Sequence, residues 1–359
     1  MKIAVVNLPS VDGGGLAILN SFYHYIMESN PPMHEWLFIV SNQNLHEKNG
    51  VHVKKYPEAL RNYFSRLIIE RSKIPGDIRA FHADVVFSFQ NLILPKCKCK
   101  QALYMHQSLP FQKKYRFSLW KKEERDCAIR QRLLGVLIKS SVKKADLVMV
   151  QTRWVCNAVQ ESTKCFDKVI HIGYPMPGGA IDCKIRREAP GQDFFYPAGP
   201  AIYKNFGCLN EAVNQLHDEG YAFQVYLTLT RPEFEKMIHY QKIHDIHYCF
   251  LGRIPFENVK ELYHRHIVLF PSYIETLGLP LIEARSSGCY IIASDCPFSH
   301  EILDDYENKT FADPFDSKQL ALAMKTVLDG KASYISNAHR EYACYADCWK
   351  RAVDLIGSL

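Results

Sequence analysis

Ile267-Val268-Leu269-Phe270-Pro271-Ser272-Tyr273-Ile274-Glu275-Thr276-Leu277-Gly278-Leu279-Pro280-Leu281-Ile282-Glu283-Ala284 changes character twice along its length. The four apolar residues at its start read as a strand covered on both faces, as in a parallel sheet. A loop holding Pro271, Ser272, Glu275 and Gly278 follows. Pro280 then suits the first turn of a helix, where its missing N–H removes no hydrogen bond. The predicted unit is strand, loop, helix.

Gly278 lets the backbone approach a ligand closely. The amides around Gly278, Leu279 and Leu281, at a helix start, make an anion site that the helix dipole favours. A diphosphate fits such a site. Glu275 and Glu283 flank it, and carboxylates beside a phosphate are tolerated where they accept hydrogen bonds from neutral hydroxyls. Sugar and ribose supply such donors, so Glu275 suits a sugar and Glu283 a ribose. Taken singly, Glu275 also reads as a solvated loop residue and Glu283 as a glutamate placed for the helix dipole.

The same alternation continues on both sides. Strand-like runs fall at residues 3–8, 36–40, 85–89, 102–106, 147–151 and 169–173, then at 194–198, 223–229, 248–251, 267–270 and 290–293. Helical patterns include 16–28, 123–144, 210–218, 256–264, 281–287 and 318–328. Strands alternating with helices predict parallel α/β sheets. Pro175-Met176-Pro177-Gly178-Gly179 breaks the pattern and marks a domain boundary. The expected division is 1–174, a linker at 175–190, a second α/β domain at 191–340 and a terminal segment at 341–359.

A chain of 359 residues, 47% hydrophobic and 23% charged, suits two globular cores and excludes disorder. The net charge is only +6, yet residues 113–144 hold eleven basic and three acidic side chains. Phe111, Phe117, Leu119 and Trp120 accompany them, and Leu133, Leu134, Val136, Leu137 and Ile138 form an apolar face further along. That composition suits an anionic membrane surface, or equally a helix packed on its own sheet. No aromatic-interleaved nucleic-acid module is present. No apolar run reaches ~18 residues, and Pro9 interrupts the first strand too early for a signal peptide, so a cytoplasmic chain is expected.

The twelve cysteines lack zinc or thioredoxin spacing, and Cys97 and Cys99 read as idle thiols. His239, His244 and His247, or His264 and His266, do not make a metal site by spacing, and no Asp-x-Asp pair offers one for a divalent cation.

Asp12-Gly13-Gly14-Gly15 precedes a helical pattern, which predicts open amides facing a ligand from the first domain. It lacks the Gly-x-Gly-x-x-Gly spacing, so a dinucleotide dehydrogenase loses its main support. His106 closes strand 102–106, at the end where parallel strands meet ligands.

Glu275 and Glu283, separated by seven residues, resemble the donor-binding signature of the retaining glycosyltransferases of family 4 (glycosyl transferases group 1), in which Ser272, Gly278, Leu279 and Pro280 also fall. Thr276-Leu277 departs from the Gly-Phe more often found there. Tyr196-Pro197-Ala198-Gly199-Pro200-Ala201-Ile202-Tyr203-Lys204-Asn205 resembles the family's phosphate-binding segment, with Gly199 in place of a frequent arginine. The resemblance implies that Lys204 neutralises the donor diphosphate and that Arg253 and Ile254 meet the nucleotide base. Gly14, Gly15, Thr276, Gly278, Leu279 and Glu283 complete the implied donor site, with Glu275, Lys204 and His106 as catalytic residues and Arg231 as a weaker phosphate contact. Residues 146–155 and the terminal residues 342–356 are similar to the family's strand-to-helix passage and crossing helix.

The fold so implied is GT-B, an α/β architecture with two Rossmann-like domains facing a central cleft and a C-terminal helix crossing back to the first. The implied reaction is retaining transfer from a UDP- or GDP-hexose to a saccharide or lipid-linked saccharide of surface polysaccharide, without metal or cofactor. A sugar-nucleotide epimerase would want several more cleft carboxylates and histidines. A phosphorylase would want a longer chain and a cofactor lysine. A basic peripheral binding protein without transferase activity rests on residues 113–144 alone.

Overall fold

The computed structural model describes residues 1–9, 13–29, 33–48, 50–174, 191–239, 241–336, 338 and 347–359. The chain divides into two compact units, Met1–Gly178 with Cys344–Leu359, and Gly179–Ala343. The linker expected at 175–190, residues 341–346 of the terminal segment and Asp12 lie outside the described residues.

In the first unit seven parallel strands, β1 (Lys2–Asn7), β2 (Glu35–Val40), β3 (Val51–Lys55), β4 (Val85–Ser88), β5 (Lys100–Met105), β6 (Leu147–Val150) and β7 (Val169–His171), lie in the order β3-β2-β1-β4-β5-β6-β7. Alternation along each strand defines two faces. Ala4 and Val6, in register with Leu37, Ile39 and Val86, pack with Ile69, Ile74 and Ile78. On the same face Leu103, Met105, Val148 and Val150 pack with Ile138, Val142, Val155 and Val159. These partners come from the helical runs 63–81 and 125–144 and from the helix Arg153–Thr163.

The opposite face is aromatic. Phe22 of helix α1 (Gly13–Glu28) meets Trp36, Phe87 and Phe89 edge-on or tilted at 5.4–5.5 Å. Trp349 of the terminal helix (Cys348–Gly357) stands 5.0 Å from Phe22 and donates from Nε1 to Ser21 Oγ at 3.0 Å. The terminal helix therefore belongs to the core of the first unit. One expectation changes here: Gly13–Gly15 do not precede α1 but form its first turn. Strand β3 also goes beyond the sequence reading, because Val-His-Val-Lys-Lys at the sheet edge has one buried residue and no apolar run.

The second unit holds a six-stranded parallel sheet of β8 (Phe194–Tyr196), β9 (Val225–Leu227), β10 (Tyr248–Phe250), β11 (Ile267–Phe270), β12 (Ile291–Ser294) and β13 (Lys309–Ala312), in the order β10-β9-β8-β11-β12-β13. Its helices include α2 (Phe206–Asp218), α3 (Phe256–Arg265), α4 (Leu279–Ser286) and α5 (Ser317–Leu328). Asp316 starts α5 by accepting from the Lys318 and Gln319 amides. The fully buried Arg285 forks onto Asp305 at 2.6 and 3.0 Å, which anchors α4. Strand succession reverses between β8 and β11, and the loops leaving such a switch point frame a ligand crevice. Among the described residues, no helix is long and apolar enough to cross a membrane.

Candidate functional site

Both loops at the switch point carry residues that the sequence singled out. The loop after β8 ends in a short 3-10 turn, Ile202–Lys204, whose carbonyl end is held by Tyr196 OH donating to Lys204 O at 2.8 Å. Asn205 follows with φ +64°, and its side-chain amide donates to Pro271 O at 3.1 Å and Pro314 O at 2.6 Å. That tie binds the β8 loop to the loop leaving β11. A second tie runs from the Tyr273 amide to Tyr203 O at 3.0 Å.

The consequence is a direct contact between two predicted groups. Lys204 Nζ lies 2.5 Å from Glu275 Oε1, with the side chains only 16% and 15% exposed. Ser272 Oγ stands 2.7 Å from the same carboxylate oxygen and 3.2 Å from Tyr203 O, so its single proton goes to the charged, nearer acceptor. Lys204 also lies over the Phe270 ring at 5.6 Å. The lysine and the glutamate, assigned separately to diphosphate and sugar, neutralise one another here.

Beyond Glu275 the chain passes Thr276, half-buried, to Gly278 at φ +75°. A side chain there would strain the backbone, although an added Cβ would meet Leu281 and Ile302 at ordinary contact distances of 3.4 and 3.6 Å. Gly278 caps α4, and the Gly278 and Leu279 amides have no partner among the described residues. The Leu281 amide does not join them: it donates to Gly278 O at 2.9 Å, correcting the expectation that all three are open. One turn further, Glu283 Oε2 accepts from Tyr263 OH of α3 at 2.7 Å. Burial pushes the Glu283 carboxyl above its ordinary pKa, against the opposing effect of the Tyr263 hydrogen bond.

The remaining predicted residues are more dispersed. Arg253 is exposed and Ile254 half-buried, both just past β10, two strands from β8. Arg231 pairs with Glu235 and Asp245, each at 2.9 Å. In the first unit Gly14 is exposed and Gly15 half-buried in the first turn of α1. His106 follows β5. Its amide donates to Asn91 Oδ1 at 2.9 Å, its Nε2 lies 3.3 Å from Asn91 Nδ2, and burial pushes its pKa down to about 4.

The sequence reading missed Tyr263 and Asn91. Tyr263 sits at an apolar position of a helical pattern and reads as core, while Asn91 carries no motif. Only three-dimensional pairing with Glu283 and His106 distinguishes them.

This topology is that of the GT-B glycosyltransferases, two units each built on a parallel sheet. Sucrose-phosphate synthase from Thermosynechococcus elongatus superposes with a TM-score of 0.71 at 15% identity, over 99% of this chain and 98% of that one. Anabaena HepE in complex with UDP-glucose gives 0.69 at 14% identity over 100% of both chains. At such identities the likeness is one of fold. In sequence, residues 202–343, within the second unit, match the family model described as Glycosyl transferases group 1. The O-antigen chain mannosyltransferase RfbU of Salmonella typhimurium is 34% identical over 79 residues, a match spanning 22% of this chain and 22% of that relative.

Proposed function

We propose that the protein is a retaining glycosyltransferase that moves a hexose from a nucleotide diphosphate to a saccharide or lipid-linked saccharide of a surface polysaccharide. The observation that carries this reading is the Lys204–Glu275–Ser272 cluster beside the open Gly278 and Leu279 amides. Transfer requires stabilising a departing diphosphate and a developing positive charge at the anomeric carbon. Lys204 and the two amides serve the first need. Glu275 accepts hydrogen bonds from the sugar, and Glu283 from the ribose. Gly14 and Gly15, in the first turn of α1, and His106, after β5, are the donor contacts proposed for the first unit. Arg253 and Ile254 line the base.

The scheme invokes no metal; Lys204 and the backbone amides are the groups proposed to stabilise the diphosphate. The RfbU match supports a saccharide acceptor of the surface-polysaccharide kind. Incubation with a panel of UDP- and GDP-sugars and candidate acceptors, read by mass spectrometry, tests it. Hydrolysis or transfer from none of them, with no thermal shift by any nucleotide sugar, would reject the reading.

The acceptor side points to an anionic membrane on the cytoplasmic face. Trp120 is 93% exposed, and Ile129, Leu133, Val136 and Leu137 are all exposed along the helical run 125–144, which includes the π stretch Arg130–Leu134. Ile138 is buried and Leu134 partly buried against the sheet, so the apolar residues of 125–144 divide between core and surface. The exposed ones stand among the basic side chains of 113–144, a pairing that suits anionic lipid.

A further inference from the structure

By spacing alone His239, His244 and His247 make no metal site, but the fold brings His244 and His247 to another histidine, His217. His217 and Asp218 end α2, and His244 precedes the short turn Asp245–His247 that leads into β10. One ligand atom from each of His217, Asp218 and His244 lies within 4.8 Å of the other two. His247 stands behind the group and is 1% exposed.

Hydrogen bonding sets the tautomers. His247 Nδ1 lies 2.9 Å from Phe223 O, which only accepts, so that nitrogen carries a proton. His247 Nε2 lies 3.0 Å from His217 Nδ1. With both rings neutral, the state that metal binding requires, His247 Nε2 accepts and His217 Nδ1 donates. The lone pair of His217 is then on Nε2. A histidine whose second nitrogen donates to a fixed acceptor is the arrangement that orients imidazole for a metal. Asp218 is exposed and His244 half-buried, and His217 also lines an open groove of about 610 Å³ with Asp193, Tyr221, Phe223, Gln224 and Ile246.

We propose that His217, Asp218 and His244 bind a divalent zinc ion, with water as fourth ligand, on the side of the second unit away from the transferase site. Two imidazoles and one carboxylate suit zinc in tetrahedral geometry. The His217 and His244 rings now stack at 3.6 Å and 25°, so their lone pairs do not converge. Binding turns His244, which lies in a loop, about its side-chain torsions until its nitrogen faces His217 Nε2. The ion then staples the end of α2 to the turn before β10. The group sits where chain enters β9 and β10, whereas Lys204 and Glu275 lie where it leaves β8 and β11. The inference therefore stands apart from the transferase reading.

The test uses the tag-free full-length chain, stripped with chelator and titrated with Zn(II) by calorimetry and with Co(II) in the visible range. One equivalent is expected, with the intense visible absorption of tetrahedral cobalt and a rise in melting temperature. His244→Ala and Asp218→Asn should each weaken binding by about tenfold or more. His24→Asn, at an exposed histidine of the first unit, should leave it unchanged. Binding of wild-type strength in both His244→Ala and Asp218→Asn, or absence of a one-equivalent site in the wild type, would overturn the proposal. Equal melting temperatures of the metal-free variants and wild type make the comparison independent of folding.

Discussion

Lys204→Met tests the ion pair at the centre of the site. Exposed pairs contribute about 0–1 kcal/mol, while breaking a buried pair by removing one partner costs about 3–5 kcal/mol. At 16% and 15% exposure the Lys204–Glu275 pair falls between these limits. Ser272 still donates to the orphaned carboxylate, so the expected loss is about 2 kcal/mol. Adding Glu275→Gln removes the unpaired charge and should recover at least about 1 kcal/mol of it, the signature of coupling between neighbours. The probe matters: Trp36, Trp120, Trp154 and Trp349 all belong to the first unit, so tryptophan fluorescence is blind to this site. Native-state hydrogen exchange of peptides covering 267–286, read by mass spectrometry, reports on it directly. Independent, additive effects of the two substitutions would refute the pairing. In parallel, Lys204→Met should weaken nucleotide-sugar binding by about tenfold or more, about 1.4 kcal/mol.

Glu283 has a raised pKa in the fold, so it binds protons that the unfolded chain has already released. Its contribution is therefore fully present below about pH 4.3 and is lost as pH rises through the folded value; Glu283→Gln should flatten that part of the stability–pH curve. Chelator should leave the transfer rate unchanged; loss of activity in EDTA, restored by manganese or magnesium, would contradict the metal-free scheme. Vesicle sedimentation should show binding that requires anionic lipid and falls with salt. It should also weaken in Trp120→Ala and when Lys113, Lys114, Lys121 and Lys122 become glutamate, whereas equal binding to neutral vesicles would count against the docking face. Calorimetry should find that the nucleoside diphosphate binds alone and the free hexose does not; tight binding of free hexose would show that Glu275 is available without a diphosphate.

The fold was legible where strands are covered on both faces. Residues 267–270 are fully buried, and four consecutive apolar residues left no other reading. Edges were legible only in part: the edge strands β7 and β10 lie within the expected runs 169–173 and 248–251, whereas two others were not read. Strand β3 and strand β13, Lys-Thr-Phe-Ala, each lie at the margin of a sheet with one buried residue. Neither has the hydrophobic run that marks an internal strand. The helical run 63–81, with a π stretch at Ile69–Lys73, was also not read, although the run 123–144 was read across its own π stretch, Arg130–Leu134.

At the site, composition and spacing named residues but not their relations. The sequence assigned Lys204 to a phosphate and Glu275 to a sugar, 71 positions apart. The fold brings them together because β8 and β11 are neighbours in the sheet and Asn205 ties their loops. That adjacency adds a physical condition to the proposed reaction. While they are paired, the lysine offers little net charge to an anion, and the carboxylate has one oxygen occupied by an ammonium and a hydroxyl. An arriving diphosphate carries more negative charge than Glu275 and competes for Lys204, with the Gly278 and Leu279 amides adding to its hold. Each step of Lys204 towards the phosphates leaves Glu275 with unsatisfied lone pairs in a site that is 15% exposed. The nearest remedy is a hydroxyl of the sugar on the same donor. In the proposed reaction diphosphate and sugar are thus recognised jointly, one by displacing the lysine and the other by replacing it.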